Sequence, residues 1–392
     1  MAKSTRTNAS VLQDKYRCTG CSLCREVCPR NCIEMREERD GFSYPHINLQ
    51  ECIDCGKCEK MCPVISPREK ITPISAYAYR DKDLDSRLKS ASGGVAARFG
   101  EVVLKEGGIY TGVRLDENFR AVHDLCETRE ELDLFRDSKY VQSELNGLFR
   151  KVKEKLEQGK VVFVTGMPCQ IAAIRSYLQK DYENLYLCDL ICNGFDSPLV
   201  FRKYIEQIET ENHKKVKRFY FRDKSNGWRK SNIRVMFADD SERIILRGES
   251  DFYRLFELAL RKSCNDCQFR CFSSGSDITI GDYWGIEKRY PDYDDGAGCS
   301  VVITNTRKGQ AFFEKLKSAG DIIETGVEYA LETHRKLTVS VPANKYHDLF
   351  FKDLGSKGLR KATWFYTSTD CKVILIRRRL KWYLWRILKK FV

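Results

Sequence analysis

Beyond residue 73 the chain alternates short apolar runs with segments in which apolar residues recur at helical spacing. Val161 to Thr165 is apolar almost throughout, the pattern of a strand buried on both faces. Ile74 to Arg80, Ile109 to Leu115, Ala121 to Leu125, Leu185 to Ile191, Ile278 to Ile280 and Ser300 to Thr304 also read as strands. Val216 to Arg222, Ile233 to Phe237 and Arg243 to Leu246 read as a small meander. Helices are expected from Ser92-Gly93-Gly94 to about Lys105, from about Ser143 to Gln158, and from about Cys169 to Leu178. Ser197-Pro198 opens another, since Ser caps a helix and Pro suits its first turn. This alternation predicts an α/β domain with a mixed sheet and helices on both faces.

The first 62 residues carry a different signal. Cys18-x2-Cys21-x2-Cys24-x3-Cys28-Pro29 recurs 34 positions on as Cys52-x2-Cys55-x2-Cys58-x3-Cys62-Pro63. This is the spacing of bacterial two-cluster ferredoxins, in which the fourth cysteine of each run serves the other cluster. Cys18, Cys21, Cys24 and Cys62 are therefore expected to hold one 4Fe-4S cluster, and Cys52, Cys55, Cys58 and Cys28 the second. Zinc ribbons use paired C-x2-C motifs across a long spacer, which these runs do not resemble. Cys32 is surplus to the eight ligands and reads as a small buried hydrophobe. Pro63 to Pro73 is a linker closing a ferredoxin module of residues 10–70.

Three constellations in the body carry chemistry. Lys89-Ser90-Ala91-Ser92-Gly93-Gly94 at a helix start leaves backbone N–H groups free for an anion such as a cofactor phosphate; the competing reading is a capped helix with a tight approach. Gly166-Met167-Pro168-Cys169-Gln170 joins a buried strand to a helix, where ligands of open α/β sheets sit. Cys169 could there be a nucleophile, a cluster ligand or a core thiol. Cys264-x2-Cys267, with Cys271 nearby, leads into Gly281-Asp282-Tyr283-Trp284-Gly285. Cys169, Cys192, Cys264 and Cys267 can be assembled into a third 4Fe-4S site, with Cys271 in reserve for Cys192. Cys126, Cys188, Cys299 and Cys371 have no partner by spacing and read as structural. No G-x-G-x-x-G follows a strand, and Gly296-Ala297-Gly298-Cys299-Ser300-Val301 breaks at its sixth position; no P-loop or C-x-x-C-H occurs.

Ser90-Ala91-Ser92-Gly93-Gly94, Gly166-Met167-Pro168-Cys169-Gln170, Asp189-Leu190-Ile191-Cys192-Asn193-Gly194 and the Cys264–Gly285 stretch resemble the coenzyme F420 hydrogenase/dehydrogenase beta-subunit family with an N-terminal double-cluster ferredoxin, of the type encoded in bacterial polysaccharide clusters. The resemblance spans about residues 10–310. It implies a region at 74–160 like the N-terminal part of those beta subunits, a flavin and iron–sulfur region at 161–340, and a helical tail at 341–392. It implies FAD, with Ser92, Gly93, Gly94, Gly166, Pro168 and Gln170 near the flavin and Cys169, Cys192, Cys264 and Cys267 as ligands of the adjacent cluster. It implies an oxidoreductase that exchanges electrons with a ferredoxin-like or F420-like carrier, or an electron-transfer subunit docked on a catalytic partner protein. No catalytic side chain is assigned. Family members often carry His where this chain has Asn193, a departure that bears on F420 use because His can shuttle protons.

Eighteen cysteines without an apolar leader segment in Met1 to Arg17 fit metal ligation better than disulfides, and point to a cytoplasmic protein. The net charge is +13, of which Cys371 to Val392 contributes +8, leaving +5 for the rest. In that tail Ile376, Leu380, Tyr383, Leu384, Ile387 and Phe391 share one helical face, the pattern of a basic amphipathic helix at the inner face of a membrane. The alternative is a terminal helix packed on the body. The even charge elsewhere and the lack of a groove-reading motif exclude nucleic acid.

Overall fold

The computed structural model describes residues 14–145 and 147–368. The expected basic helix of residues 371–392 and Cys371 lie outside them.

The two cysteine runs fold as repeats of each other. In the first, Gly20 and Ser22 take φ of +69° and +63°; in the second, the equivalent Asp54 and Gly56 take +55° and +67°. A left-handed residue before each of the second and third cysteines curls the loop tightly, which for a residue bearing Cβ costs about 1–2 kcal/mol. Each loop ends in a single helical turn, Leu23–Glu26 or Lys57–Lys60. Between them, β1 (Ile33–Glu37) and β2 (Ser43–Ile47) form an antiparallel hairpin.

The body is built on an eight-stranded mixed sheet. Its strands are β3 (Ser75–Asp81), β4 (Ile109–Leu115), β5 (Ala121–Cys126), β6 (Val162–Gly166), β7 (Leu185–Leu190), β11 (Ile278–Asp282), β12 (Ser300–Thr304) and β13 (Gly320–Glu324). A separate three-stranded antiparallel sheet comprises β8 (Val216–Asp223), β9 (Asn232–Phe237) and β10 (Glu242–Ile245). The large sheet runs β13-β3-β12-β11-β7-β6-β4-β5; β4, β6, β7 and β11 are mutually parallel, and the flanks are antiparallel. The fold class agrees with the α/β expectation. Every expected strand forms to within about two residues. β13 was not anticipated: five residues with one buried position carry almost no periodic signal, and the strand exists because it pairs with β3.

One expected helix is shorter than its pattern. Helix begins at Leu148 rather than near Ser143. The segment before it is extended, because Glu144 N donates to Ala121 O and His123 N to Glu144 O, while the Ser143 hydroxyl is held by His123 and Gln170.

Four apolar clusters fill the body among the described residues, and three of them fix the layers around the site. Phe163 on β6 stacks with Phe99 of the helix Val95–Lys105 and packs against Phe312. The opposite layer joins Val162, Val164 and Leu187 to Ile171 and Ile174 of the helix Pro168–Leu178. The small sheet packs Phe219 and Phe221 on Phe201, Phe252, Phe350 and Leu354, which ties the helices of residues 347–367 to it. The ferredoxin module shares a core with the body: Phe42, Tyr44 and Val64 lie with Cys169, Phe195, Cys264 and Phe269. Polar ties hold the same seam, including Ser197 Oγ to Asp40 O at 2.6 Å and Gln268 Nε2 to Pro63 O at 3.0 Å.

At the start of the helix Val95–Lys105, Arg98 forks onto the buried Asp81 carboxylate, with Nε and Nη2 at 2.9 and 2.7 Å. Removing one partner of such a pair leaves an uncompensated buried charge. Arg98→Met is expected to lower the unfolding free energy by about 3 kcal/mol; an unchanged denaturation midpoint would contradict the assignment.

Candidate functional site

Parallel pairing of β6, β7 and β11 brings their carboxyl ends to one edge of the sheet. Gly166 pairs with Asp189, and Ile280 with Leu190. The chain leaving β6 therefore presents Met167-Pro168-Cys169, that leaving β7 presents Ile191 to Phe195, and that leaving β11 presents Tyr283 and Trp284. Two cavities open at this edge.

The smaller one is lined by Cys169, Cys192, Cys264, Cys267 and Cys271, together with Pro168 and Thr19 of the ferredoxin module. Its free volume is about 40 Å³. Burial pushes the Cys169 thiol well up, and Cys267, Cys192 and Cys264 push it further. Burial likewise raises Cys192 to about 11 and Cys264 to about 12, each with added repulsion from Cys267. Cys267 is raised by burial as well. Cys271 lines the same space; its backbone N–H donates to Leu337 O at 2.8 Å, with φ +57°. Four neighbouring thiols, two buried and two half-buried, that repel one another's charge ionise together only around a cationic centre.

The first ferredoxin set shows the same electrostatics. Burial raises Cys21 to about 12, helped by Cys62 and Cys18, and raises Cys24 well above its ordinary value, helped by Cys21, Cys18 and Cys62. Cys62, from the second run, thus sits with the first run. In the second set Cys52 and Cys55 are exposed, and burial raises Cys58 to about 11. Cys28 is the exception. Burial opposes its ionisation, but backbone N–H groups of Cys32, Arg30 and Asn31 bring it below the ordinary value. Cys32 is buried, with its Sγ 3.4 Å from that of Cys28. Cys21 lies close enough to Cys169 to raise its pKa, so the first ferredoxin set and the body's set are neighbours. Among the described residues no three Cys, His, Asp or Glu side chains converge as they would on one metal ion.

The larger cavity has a volume of about 830 Å³. Leu190 to Cys192, Gly194 and Phe195 line both cavities and form the wall between them. Ser90, Ala91, Ser92, Gly94, Gly166, Gln170 and Asn193 line the larger one. Gly93 and Pro168, expected beside the same ligand, do not. Gly93 is pressed into the sheet, where a Cβ would lie 2.3 Å from Tyr79 O and 2.5 Å from Ser300 N. Pro168 faces the smaller cavity because the helix turns toward the cysteines as soon as it starts.

The two helix starts at this edge differ. The helix Pro168–Leu178 is closed by its own Gln170, whose Oε1 accepts from Met167 N at 3.0 Å and whose Nε2 donates to Ser143 Oγ at 3.0 Å. The helix Val95–Lys105 has Gly94 as its N-cap, at φ +91°, and no side-chain cap. Gly94, Val95, Ala96 and Ala97 face the cavity, so uncapped N–H groups point at whatever fills it. Ser92 and Ser90 keep their hydroxyls for Cys299 O and Ser86 O and contribute shape rather than donors. Lys224 braces this loop: its Nζ donates to Arg87 O, Ser92 O and Ala297 O at 2.6–2.8 Å, and burial lowers its pKa to about 7.

Sequence reasoning missed most of the remaining lining. Eight Arg and Lys residues, among them Arg136, Lys139, Arg222, Arg247, Lys288 and Arg289, outnumber the four acids Asp137, Asp282, Glu287 and Glu332 there. Trp284 stacks on the fully buried Trp228, with centroids 4.4 Å apart and planes 8° apart, and remains partly open to the cavity. His334 also lines the cavity, but its Nε2 is 2.7 Å from Asp282 O and its Nδ1 2.8 Å from Ala330 O. These residues come from five separate segments, which no local motif links. No helix among the described residues is long and apolar enough to cross a membrane.

Residues 159–329 match the family model for the C-terminal part of the coenzyme F420 hydrogenase/dehydrogenase beta subunit, and residues 17–65 match the 4Fe-4S dicluster domain. A subunit of the F420H2 dehydrogenase of Methanosarcina mazei is 24% identical over 81% of this chain and 86% of its own length. The coenzyme F420-dependent sulfite reductase of Methanocaldococcus jannaschii is 26% identical over 79% of this chain, which spans only 47% of that protein. Among solved structures, a chain of the F420-reducing NiFe hydrogenase complex from Methanosarcina barkeri superposes with a TM-score of 0.45 at 17% identity, covering 68% of this chain and 91% of that one.

The glycines of the site should separate by mutation. Gly93→Ala is expected to destabilise the whole fold by more than about 2 kcal/mol, as overpacking does. Gly166→Ala, whose nearest new contact would be an ordinary 3.4 Å to Ile171 Cδ1, should stay within about 1 kcal/mol. Thermal unfolding of both variants tests this; equal midpoints would refute the packing role of Gly93.

Proposed function

We propose, from the premise that residues 159–329 belong to the coenzyme F420 hydrogenase/dehydrogenase beta-subunit family and residues 17–65 are a 4Fe-4S dicluster domain, that this chain is an iron–sulfur flavoprotein oxidoreductase. It exchanges electrons between a ferredoxin-like or F420-like carrier and a substrate in the larger cavity. The observation that carries this reading is the wall of residues 190–195. It separates a nest of four buried or half-buried thiols from a large basic cavity, and the nest adjoins the ferredoxin cysteines.

The cysteines sort into three sets: Cys18, Cys21, Cys24 and Cys62; Cys28, Cys52, Cys55 and Cys58; and Cys169, Cys192, Cys264 and Cys267. For the first two sets the C-x2-C-x2-C-x3-C-P spacing favours an iron–sulfide cube over zinc. Cys192, which repels Cys169 and Cys264, is a better fourth ligand than Cys271. The larger cavity suits FAD. The open helix start at Gly94 and the surplus of Arg and Lys fit a diphosphate, and the face of Trp284 fits a planar ring. When bound, the clusters carry single electrons and the flavin converts them to two-electron chemistry. The protein's own part is to hold the groups at fixed separations, to keep water from the inner cysteines, and to brace the Ser90–Gly94 loop through Lys224.

A second reading, an electron-transfer subunit working on a separate catalytic protein, is favoured by the Methanosarcina mazei relative, which is named as one subunit of a dehydrogenase. A purified chain that reduces a protein partner but turns over no small molecule would establish it over the first.

Anaerobically prepared protein is expected to contain about twelve iron atoms and one FAD per chain. Cys192→Ala should lose about four of those irons while Cys271→Ala keeps all of them. Loss of iron from Cys271→Ala alone would reverse the ligand assignment. A wild-type content of about eight irons with FAD would remove the third cluster and leave the ferredoxin pair.

A further inference from the structure

We infer that Arg261 is the fixed counter-charge of the site formed by Cys18, Cys21, Cys24 and Cys62 and sets how readily that site accepts an electron; the inference rests on the cluster reading of those cysteines. Arg261 has no exposed surface. Its guanidinium donates to Cys18 O at 2.8 Å, Ser43 O at 3.1 Å and Gln142 Oε1 at 3.0 Å, and Nη2 lies 3.8 Å from Cys18 Sγ. The rings of Tyr44 and Phe42 face it at 4.3 and 5.3 Å. None of these partners is a carboxylate. A guanidinium keeps its proton at any accessible pH, so the molecule buries a permanent cation supported by neutral groups and one thiol.

Such burial is very costly unless an anion stands nearby. The anion within reach is the Cys18 side chain in its metal-bound thiolate form. The approach is purpose-shaped: a Cβ on Gly20 would come within 2.6 Å of Arg261 Nη1, so the cysteine loop closes on the guanidinium only with glycine there. Arg261 also looks the other way along the chain, since Cys264 N donates to Arg261 O at 2.9 Å and the Arg261 charge favours the Cys264 thiolate. It therefore stands between two proposed clusters.

Burial keeps water from a cluster but penalises the extra negative charge of its reduced form, and a cation at fixed distance offsets that penalty. The step concerned is the uptake of one electron from the reduced one-electron carrier. No bond forms or breaks and no proton moves; Arg261 supplies the compensating charge. The set containing Cys264 has a second cation, Arg270, whose Nη1 donates to Cys192 O at 3.1 Å. Loss of Arg261 should therefore weigh most on the Cys18 set, which makes it a positioning and tuning residue rather than a catalytic one.

Redox titration of the full, iron-loaded chain followed by electron paramagnetic resonance tests this. Arg261→Gln is expected to move one cluster midpoint to lower potential by about a tenfold change in the reduction equilibrium, about 59 mV for one electron. Arg261→Lys should stay near wild type, because the charge remains. Gln142→Glu, close in shape, places a carboxylate beside an intact Arg261 and should move the same midpoint the same way, so it decides the matter if Arg261→Gln does not fold. Arg261→Gln or Gln142→Glu with full iron and wild-type midpoints would overturn the inference, as would equal displacement in Arg261→Lys. A wild-type chain without ferredoxin-type signals would instead sink the cluster reading beneath it.

Discussion

The parallel register of β6, β7 and β11 is the constraint on which the rest of the molecule depends. Hydrogen bonding aligns Val162–Gly166 with Leu185–Asp189, and Ile278–Ile280 with Cys188–Leu190. Because the strands run the same way, their ends arrive together. Segments more than a hundred residues apart thereby deliver Cys169, Cys192 and Trp284 to one edge. A slip of one residue would turn each buried strand inside out and scatter all three. Phe163, Leu187 and Ile280 hold the register by filling the layers on either side.

Upon that edge the structure sets two opposed demands. The inner cysteines, unlike the exposed Cys52 and Cys55, are largely shielded from water, and that shielding disfavours charge. Burial is the leading cause of the raised pKa at Cys21, Cys169, Cys192 and Cys264. Thiolates are stable there only with compensating positive charge, from a bound metal centre and from cations such as Arg261 and Arg270. The larger cavity is arranged the other way, with cations and an uncapped helix start facing open space. Fixed positive ends awaiting a ligand are the electrostatic form of preorganisation.

The seam between ferredoxin module and body belongs to the same design. Apolar contact through Phe42 and Tyr44, backbone bonds from Arg261 and Gln142, and the short path from Cys21 to Cys169 hold the cysteine sets at fixed separations. Electron transfer between such groups needs constant distance more than any reactive side chain.

The chain on its own determined what depends on neighbours in sequence. The eight ferredoxin cysteines lie within tight loops, so their spacing dictates who can reach a common centre, down to Cys62 joining the first run. The central strands were legible because apolar runs of five or six residues have one economical fate. Tertiary structure decided what depends on pairing across long intervals. It separated Gly93, pressed against the backbone of β3 and β12, from Gly94, which opens to the cavity. It turned Pro168 toward the thiols and gave Gln170 to its own helix as a cap. It also placed Arg261, an arginine with no local signature in the sequence, at the Cys18 loop 243 residues earlier. Spacing encodes local geometry, whereas burial and charge balance arise only when the sheet has brought distant segments into contact.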